Sequence, residues 1–226
     1  MDTSTHTLDE EDMQEIAKQL RKPSGKNGLE IAKRMDRNNK DMTLNAIALT
    51  DILEHNKILE LGHGNCGHLP YLIEKNPTIN YTGLDISTSM KMEAEHLNHD
   101  FVSSGKASYH LYDGTIIPFE SRSFDRFFTV NTLYFWEDPE KLMSELHRIL
   151  KPEGMGVICF AEEQFLKQLP FTQFNFEFYS LDRFQKLAEM AGFVIDTVQE
   201  FQDEAESKTG ETVNRRYYAV CLKKAV

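Results

Sequence analysis

Apolar residues in the first fifty positions recur at helical spacing. Met13, Ile16, Ala17 and Leu20 stand among acids and lysines and predict an amphipathic helix over residues 8–22, broken by Pro23, Ser24 and Gly25. Ile31, Ala32 and Met35, then Leu44, Ile47, Ala48 and Ile52, predict two more helices between residues 29 and 54, joined near Asn38 and Asn39. The period then changes. Residues 57–61 (KILEL) are a short apolar run closed by glycines, which predicts a strand, and residues 69–75 behind it read as a helix. Further strands are predicted at 79–84, 107–112, 124–130 and 156–160, with helices at 89–103 and 139–150. In the last of these helices Leu142, Leu146, Ile149 and Leu150 share one face.

Strands alternating with helices in this way imply a parallel sheet with right-handed crossovers. The final third departs from the alternation. Residues 180–191 read as a helix stopped by Gly192, but the strands at 193–201 and 216–222 have only a polar, acidic connection between them. No crossover helix fits there, so these two strands are expected to pair antiparallel. The fold class is therefore α/β: a Rossmann-like, doubly wound, seven-stranded, mostly parallel sheet with a C-terminal antiparallel hairpin and an N-terminal helical cap. Residues 1–56 would form the cap and 57–226 the core. An insert at 164–179, holding Phe165, Phe171, Phe174, Phe176, Phe178 and Tyr179, is expected over the mouth of the site.

Composition narrows the function classes. With 226 residues, two-fifths of them hydrophobic, the chain can bury one doubly wound core. A formal net charge of −11, with no long run of Lys or Arg, disfavours nucleic acid as partner. No apolar run approaches membrane-spanning length, and the N-terminus opens polar and acidic, so neither membrane insertion nor secretion is expected. Cys66, Cys159 and Cys221 are odd in number and widely spaced, which suggests reduced thiols, no metal site and a cytoplasmic setting.

The chemistry concentrates in Glu60-Leu61-Gly62-His63-Gly64-Asn65-Cys66-Gly67, between a strand and a helix. Glycines there allow a tight turn and close approach of a ligand, and the helix behind offers free N–H groups. Asp85 ends the next strand, 18 residues beyond Gly67, where a carboxylate can accept from a ribose diol. These features suit a dinucleotide equally well. Taken singly, the glycines could simply turn the chain and Asp85 could cap the following helix. Three more features separate the possibilities: Glu60 just ahead of Gly62; Asp113-Gly114 after the third strand, followed by a Ser-Phe-Asp turn and Leu-Lys-Pro-Glu-Gly-Met-Gly; and the terminal hairpin.

In this combination, residues 57–220 closely resemble the type 11 class of S-adenosylmethionine-dependent methyltransferases. The resemblance implies that the 62–67 turn passes beneath the methionine end, with Glu60 helping to hold it. Asp85 would bind both ribose hydroxyls, Ile86 would lie against the adenine, Asp113 would accept from the adenine amino group, and the backbone at Asn131 would meet the methionine moiety. The candidate cofactor-binding set is thus Glu60, Gly62, His63, Gly64, Asn65, Gly67, Asp85, Ile86, Asp113, Gly114, Asn131 and Tyr134. The family commonly has glycine where this chain has Cys66.

Methyl transfer is an in-line displacement at an already activated carbon, so alignment can supply much of the rate and a dedicated base is not required. No catalytic residue is assigned. His63, His68 and His110 read as structural or solvent-facing, and Glu162 and Glu163 as a solvated loop at the favoured edge of the sheet. Tyr134, Phe135 and Trp136 could wall an acceptor pocket or pack under a loop. The basic turn from Arg21 to Lys26 could meet an anionic acceptor, though a plain interhelical turn explains it as well. The expected partner is a small-molecule methyl acceptor of unknown identity. A nicotinamide-dependent oxidoreductase and a catalytically silent cofactor-binding protein are the rivals.

Overall fold

The structure, a computed structural model, describes residues 9–206 and 212–224. Seven strands form one sheet: β1 (Lys57–Leu61), β2 (Asn80–Asp85), β3 (Ala107–Leu111), β4 (Phe124–Val130), β5 (Leu150–Ala161), β6 (Phe193–Glu206) and β7 (Thr212–Lys224). Their order is β3-β2-β1-β4-β5-β7-β6, with β1 to β5 mutually parallel and β7 antiparallel to both neighbours. Helices α1 (Glu10–Arg21), α2 (Gly25–Asn38) and α3 (Lys40–Leu49) precede the sheet. The others are α4 (Leu69–Lys75), α5 (Thr88–Leu97), α6 (His99–Ser103), α7 (Pro139–Ile149), α8 (Glu163–Leu166) and α9 (Leu181–Met190). This is the expected fold class.

Parallel strands buried on both faces need almost unbroken apolar sequence. Ile58, Leu59 and Leu61 of β1, Phe127 and Phe128 of β4, and Val157, Ile158 and Phe160 of β5 are all fully buried. From β1 the chain winds one way to β3, and from β4 the other way, so a crevice opens at the carboxyl ends of β1 and β4. Three of the helices that follow strands start on a side-chain cap, whereas α4 after β1 has none. The Ser87 hydroxyl accepts from Met90 N to cap α5, Asp138 caps α7 and Ser180 caps α9.

Several boundaries differ from the sequence expectation. Leu8, the expected start of the first helix, lies outside the described residues; α1 begins at Glu10 behind a capping box made by Asp9 and Asp12. The helix expected over 89–103 is two, because the Asn98 side chain donates to the carbonyls of both Cys66 and Ala94 and interrupts the ladder. β5 starts at Leu150, six residues before the expected Gly156, since Leu150 pairs with Phe124 ahead of an irregularity that carries Glu153 into the left-handed region. The polar connection expected between the last two strands is largely strand. Asp203 faces Arg215 in register, and their side chains form a bidentate ion pair at 2.6 and 2.9 Å. Polar residues there hid the strand pattern; residues 207–211 of that connection lie outside the described residues.

Candidate active site

The turn after β1 is built on backbone that favours glycine. Gly62, Gly64 and Cys66 have φ of 74°, 56° and 54°. A Cβ on Gly62 would overlap Thr132 Cγ2, so the loop after β4 presses directly on the turn after β1. At Gly64 the space is open on the protein side. Cys66 adopts a left-handed conformation that favours glycine, the residue the resemblance places there, and its thiol is held by the Tyr81 hydroxyl at 3.1 Å.

Beneath this turn lies a buried polar network. Glu60 accepts from the Tyr81 hydroxyl and from His68 Nε2 at 2.8 Å. Burial opposes protonation of His68, but Glu60 and Cys66 more than offset it and hold the imidazole pKa well above its ordinary 6.5. His63 Nδ1 lies 2.7 Å from the Gly64 carbonyl, so Nδ1 carries the proton; Nε2 is buried with no hydrogen-bond partner among the described residues.

At the end of β2 the Asp85 carboxylate accepts from Gly64 N at 3.1 Å and from Ser87 N at 2.8 Å. It is buried, and that burial raises its pKa above the ordinary 3.8 despite His63 and these two N–H groups. Asp113, exposed after β3, accepts from Ile116 N, Thr115 N and the Thr115 hydroxyl, which lower its pKa. The cleft between these groups is lined by Gly62, Gly64, Asp85, Ile86, Asp113, Gly114 and Asn131. A second hollow beneath it is lined by Glu60, Gly62, His63, Gly64, Asn65 and His68. Of the candidate cofactor-binding residues, eleven thus surround one or other hollow or the next cavity, and Gly67 lines none of them. A Cβ on Gly67 would meet Asp36 Oδ2 at 2.8 Å, so its smallness serves the approach of α2.

Tyr134 stands on the wall of a separate, apolar cavity that adjoins the cleft at Leu20, Met35, Asn131 and Phe135. The 164–179 segment supplies Phe165, Leu166, Leu169, Phe171 and Phe176 to this cavity. Phe176 stacks on Tyr134 at 5.8 Å between ring centroids and meets Phe135 edge-on at 4.7 Å. Burial drives the Tyr134 phenol pKa far upward. Its hydroxyl donates to Asn131 Oδ1 and accepts from Ala161 N.

This geometry can hold a ribose-bearing ligand: a buried carboxylate at the end of β2, an open glycine turn beside it and an unpartnered imidazole nitrogen below. Residues 59–158 match a methyltransferase domain family. Over this stretch, less than half of the chain, the protein resembles the S-adenosylmethionine-dependent methyltransferases.

Among the relatives, a biotin biosynthesis bifunctional protein of Teredinibacter turnerae is 28% identical over 60% of the chain and 26% of the relative. An O-methyltransferase of Aspergillus sclerotiorum is 28% identical over 42% of the chain and 36% of its own length. The matched stretches therefore span only about a quarter to a third of these relatives. Two solved structures share the fold. Phosphoethanolamine N-methyltransferase 2 of Haemonchus contortus, in complex with phosphomonomethylethanolamine and S-adenosylhomocysteine, superposes with a TM-score of 0.71 at 15% identity, over 93% of the chain and 61% of its own. Geranyl diphosphate methyltransferase gives 0.68 at 11% identity, over 84% and 80%.

Several residues around the hollows carry no motif. Arg21 and Pro23 roof the cleft, with Arg21 paired to Glu137 and the Pro23 carbonyl bonded to the Ser87 hydroxyl. The basic turn is therefore placed at the cleft, although Arg21 is already paired. Thr132 and Trp136 close the opposite side, joined by a 3.2 Å bond from Trp136 Nε1. Asn39 and Arg215 line the apolar cavity. In the sequence Arg215 is one more cation in a polar stretch; only its in-register pairing with Asp203 would have flagged it. Among the described residues, no helix is long and apolar enough to cross a membrane.

Proposed function

We propose that this protein binds S-adenosylmethionine in the cleft and transfers its methyl group to a small molecule seated in the adjoining apolar cavity. The observation that carries the reading is the junction of the two hollows at Asn131 and Phe135, which lets a methyl donor in one face an acceptor in the other. When bound, the cofactor supplies an electrophilic methyl on a sulfonium. The chain supplies position. Asp85 would accept from the ribose hydroxyls, Ile86 would cover one face of the adenine, and Asp113 would accept from its amino group. Gly62 and Gly64 would let the backbone lie against the methionine end, with Glu60, His63 and Asn65 beneath it. Asn131 and Tyr134 would stand where cofactor and acceptor meet.

The N-terminal segment 1–56 would act as a cap on the 57–226 core, since Leu20, Arg21, Pro23 and Met35 reach the cleft. A net charge of −11 favours a small-molecule acceptor over nucleic acid, and three buried free cysteines suit the cytoplasm. Calorimetric titration tests the reading directly. S-adenosylhomocysteine should bind and raise the melting temperature, because a ligand of the folded state stabilises it by mass action, while NADH should do neither. Binding of NADH without the adenosyl compound would replace the proposal with the oxidoreductase alternative.

A further inference from the structure

The apolar cavity has a polarity of its own. Its wall is hydrophobic, formed by Leu20, Met35, Phe165, Leu169 and Phe176 among others, and holds no carboxylate, imidazole, amine or thiol among the described residues. The one charged group on it, Arg215, is almost fully buried and already neutralised by Asp203. A guanidinium can only donate, so the Nη1 bond of 3.0 Å to Asn39 fixes that amide with its oxygen toward Arg215. Asn131 Nδ2 donates to the same oxygen at 3.0 Å, which in turn leaves Asn131 Oδ1 to accept from the Tyr134 hydroxyl at 2.9 Å. The oxygens of Asn39, Asn131 and Tyr134 are thereby all engaged as acceptors.

The donors are not all engaged. Of the five N–H groups of Arg215, two go to Asp203, one to Asn39 and one to the Asn38 carbonyl, leaving a hydrogen on Nη1. A wall without a carboxylate and with a cationic N–H hydrogen to spare favours a ligand oxygen, and an anionic one most. An ammonium acceptor would find no counter-charge on this wall among the described residues. A doubly charged phosphate would be desolvated against a neutral pair.

The second constraint is proton transfer. An acceptor that must lose a proton before or during attack needs a base within reach, and this wall provides none: Tyr134 is held in the neutral phenol form and its hydroxyl is engaged. Resting on the methyltransferase reading, we propose that the acceptor is a small apolar molecule attacking through an oxygen already ionised at neutral pH, either a carboxylate or an acidic phenol. The oxyanion gives an electron pair to the new C–O bond as the S–CH3 pair returns to sulfur. An ester or aryl ether and a neutral thioether result, and no proton is left over.

Calorimetry with octanoate, 4-nitrophenol and phosphoethanolamine, with and without saturating S-adenosylhomocysteine, tests the preference without turnover. Octanoate and 4-nitrophenol should bind and phosphoethanolamine should not. The double variant Arg215→Gln with Asp203→Asn keeps the site neutral and should weaken both anions about tenfold or more, the scale of one charge-assisted hydrogen bond, while S-adenosylhomocysteine affinity stays unchanged. Turnover supplies the second readout. A phenol of ordinary pKa, about 10, is ionised to roughly one part in a thousand at neutral pH, so 4-cresol should be far slower than 4-nitrophenol. Each phenol's rate should climb with its own ionisation. Binding of phosphoethanolamine in place of the anions, or one pH midpoint common to both phenols, would overturn the inference. S-adenosylhomocysteine binding with no anion binding would overturn it alone; anion binding with no S-adenosylhomocysteine binding would sink the cofactor reading instead.

Discussion

The cleft and the apolar cavity meet at Asn131 and Phe135, yet they are built in opposite ways. Most of the groups proposed to hold the cofactor in the cleft come from three strand ends, each carrying its chemistry within a few residues of the strand: Gly62 and Gly64 after β1, Asp85 and Ile86 at β2, Asp113 and Gly114 after β3. The cavity gathers α1, α2, the loop after β4, the segment after β5 and β7, with one or a few side chains from each. The cleft depends on backbone conformation and polar bonds to it. The cavity depends on packed rings around one buried ion pair. The first kind of site is local in sequence and intolerant of backbone change, whereas the second is dispersed and tolerant of backbone change but sensitive to side-chain volume and charge.

The sharpest test of that contrast lies at the turn after β1. Gly62→Val should abolish S-adenosylhomocysteine binding in calorimetry, because a branched side chain in the left-handed region collides with Thr132 and enters the cleft. Gly62→Ala should cost about 1–3 kcal/mol of stability from backbone strain, with the Thr132 overlap added. Pairing it with Thr132→Ser, which removes Cγ2, should recover the overlap part only. Full recovery would mean that the backbone conformation contributes nothing. Next in size is Asp85→Ala, which should weaken S-adenosylhomocysteine by roughly 1.5–3 kcal/mol, the scale of hydrogen bonds to a charged group. An unchanged affinity would reduce Asp85 to a cap for Gly64 N and Ser87 N.

This difference in construction also decided what was legible beforehand. The central parallel strands were readable because burial on both faces demands runs such as KILEL and FDRFFTV, whereas the edge strand β3, ASYHL, alternates between buried and partly exposed positions. The glycine turn and Asp85 were readable because their spacing is set by one strand-turn-helix unit. The aromatic segment declared itself by composition, but not which rings face inward. Phe176 lines the cavity, Phe178 packs on the main core, and Phe174 does neither. Arg215 and Asn39 were illegible for a plainer reason. Their proximity across 176 positions is a product of the completed hairpin and the α2–α3 junction, and no local period encodes it.

A smaller effect separates the rings. Phe176→Ala removes the stack on Tyr134 and the contact with Phe135, and should cost about 1–2 kcal/mol of stability, less than a fully buried ring. It should weaken octanoate binding and leave S-adenosylhomocysteine affinity intact. Phe174→Ala, outside both hollows, should leave both affinities alone. If the two variants behave alike, the segment acts as packing and the cavity is not a binding surface.

The smallest expected effect concerns the network beneath the cleft, and its sign follows from His68. Beside Glu60 the folded-state pKa of this imidazole lies well above its ordinary 6.5. The folded protein therefore holds the proton more tightly than the unfolded chain, and the resulting stability is fully present below pH 6.5. As pH rises past 6.5 the unfolded chain releases the proton first. The contribution then shrinks until the folded pKa is reached, where it is gone. Urea unfolding between pH 6 and 9 should thus show a decline on the order of 1 kcal/mol assignable to this pair. His68→Gln retains a donor for Glu60 but cannot titrate, so its stability curve should be flatter over the same window while remaining below wild type at pH 6. A wild-type curve that rises from pH 6.5 to 9, or a variant with an identical slope, would show that the Glu60–His68 bond of 2.8 Å does not bind the proton the geometry assigns to it.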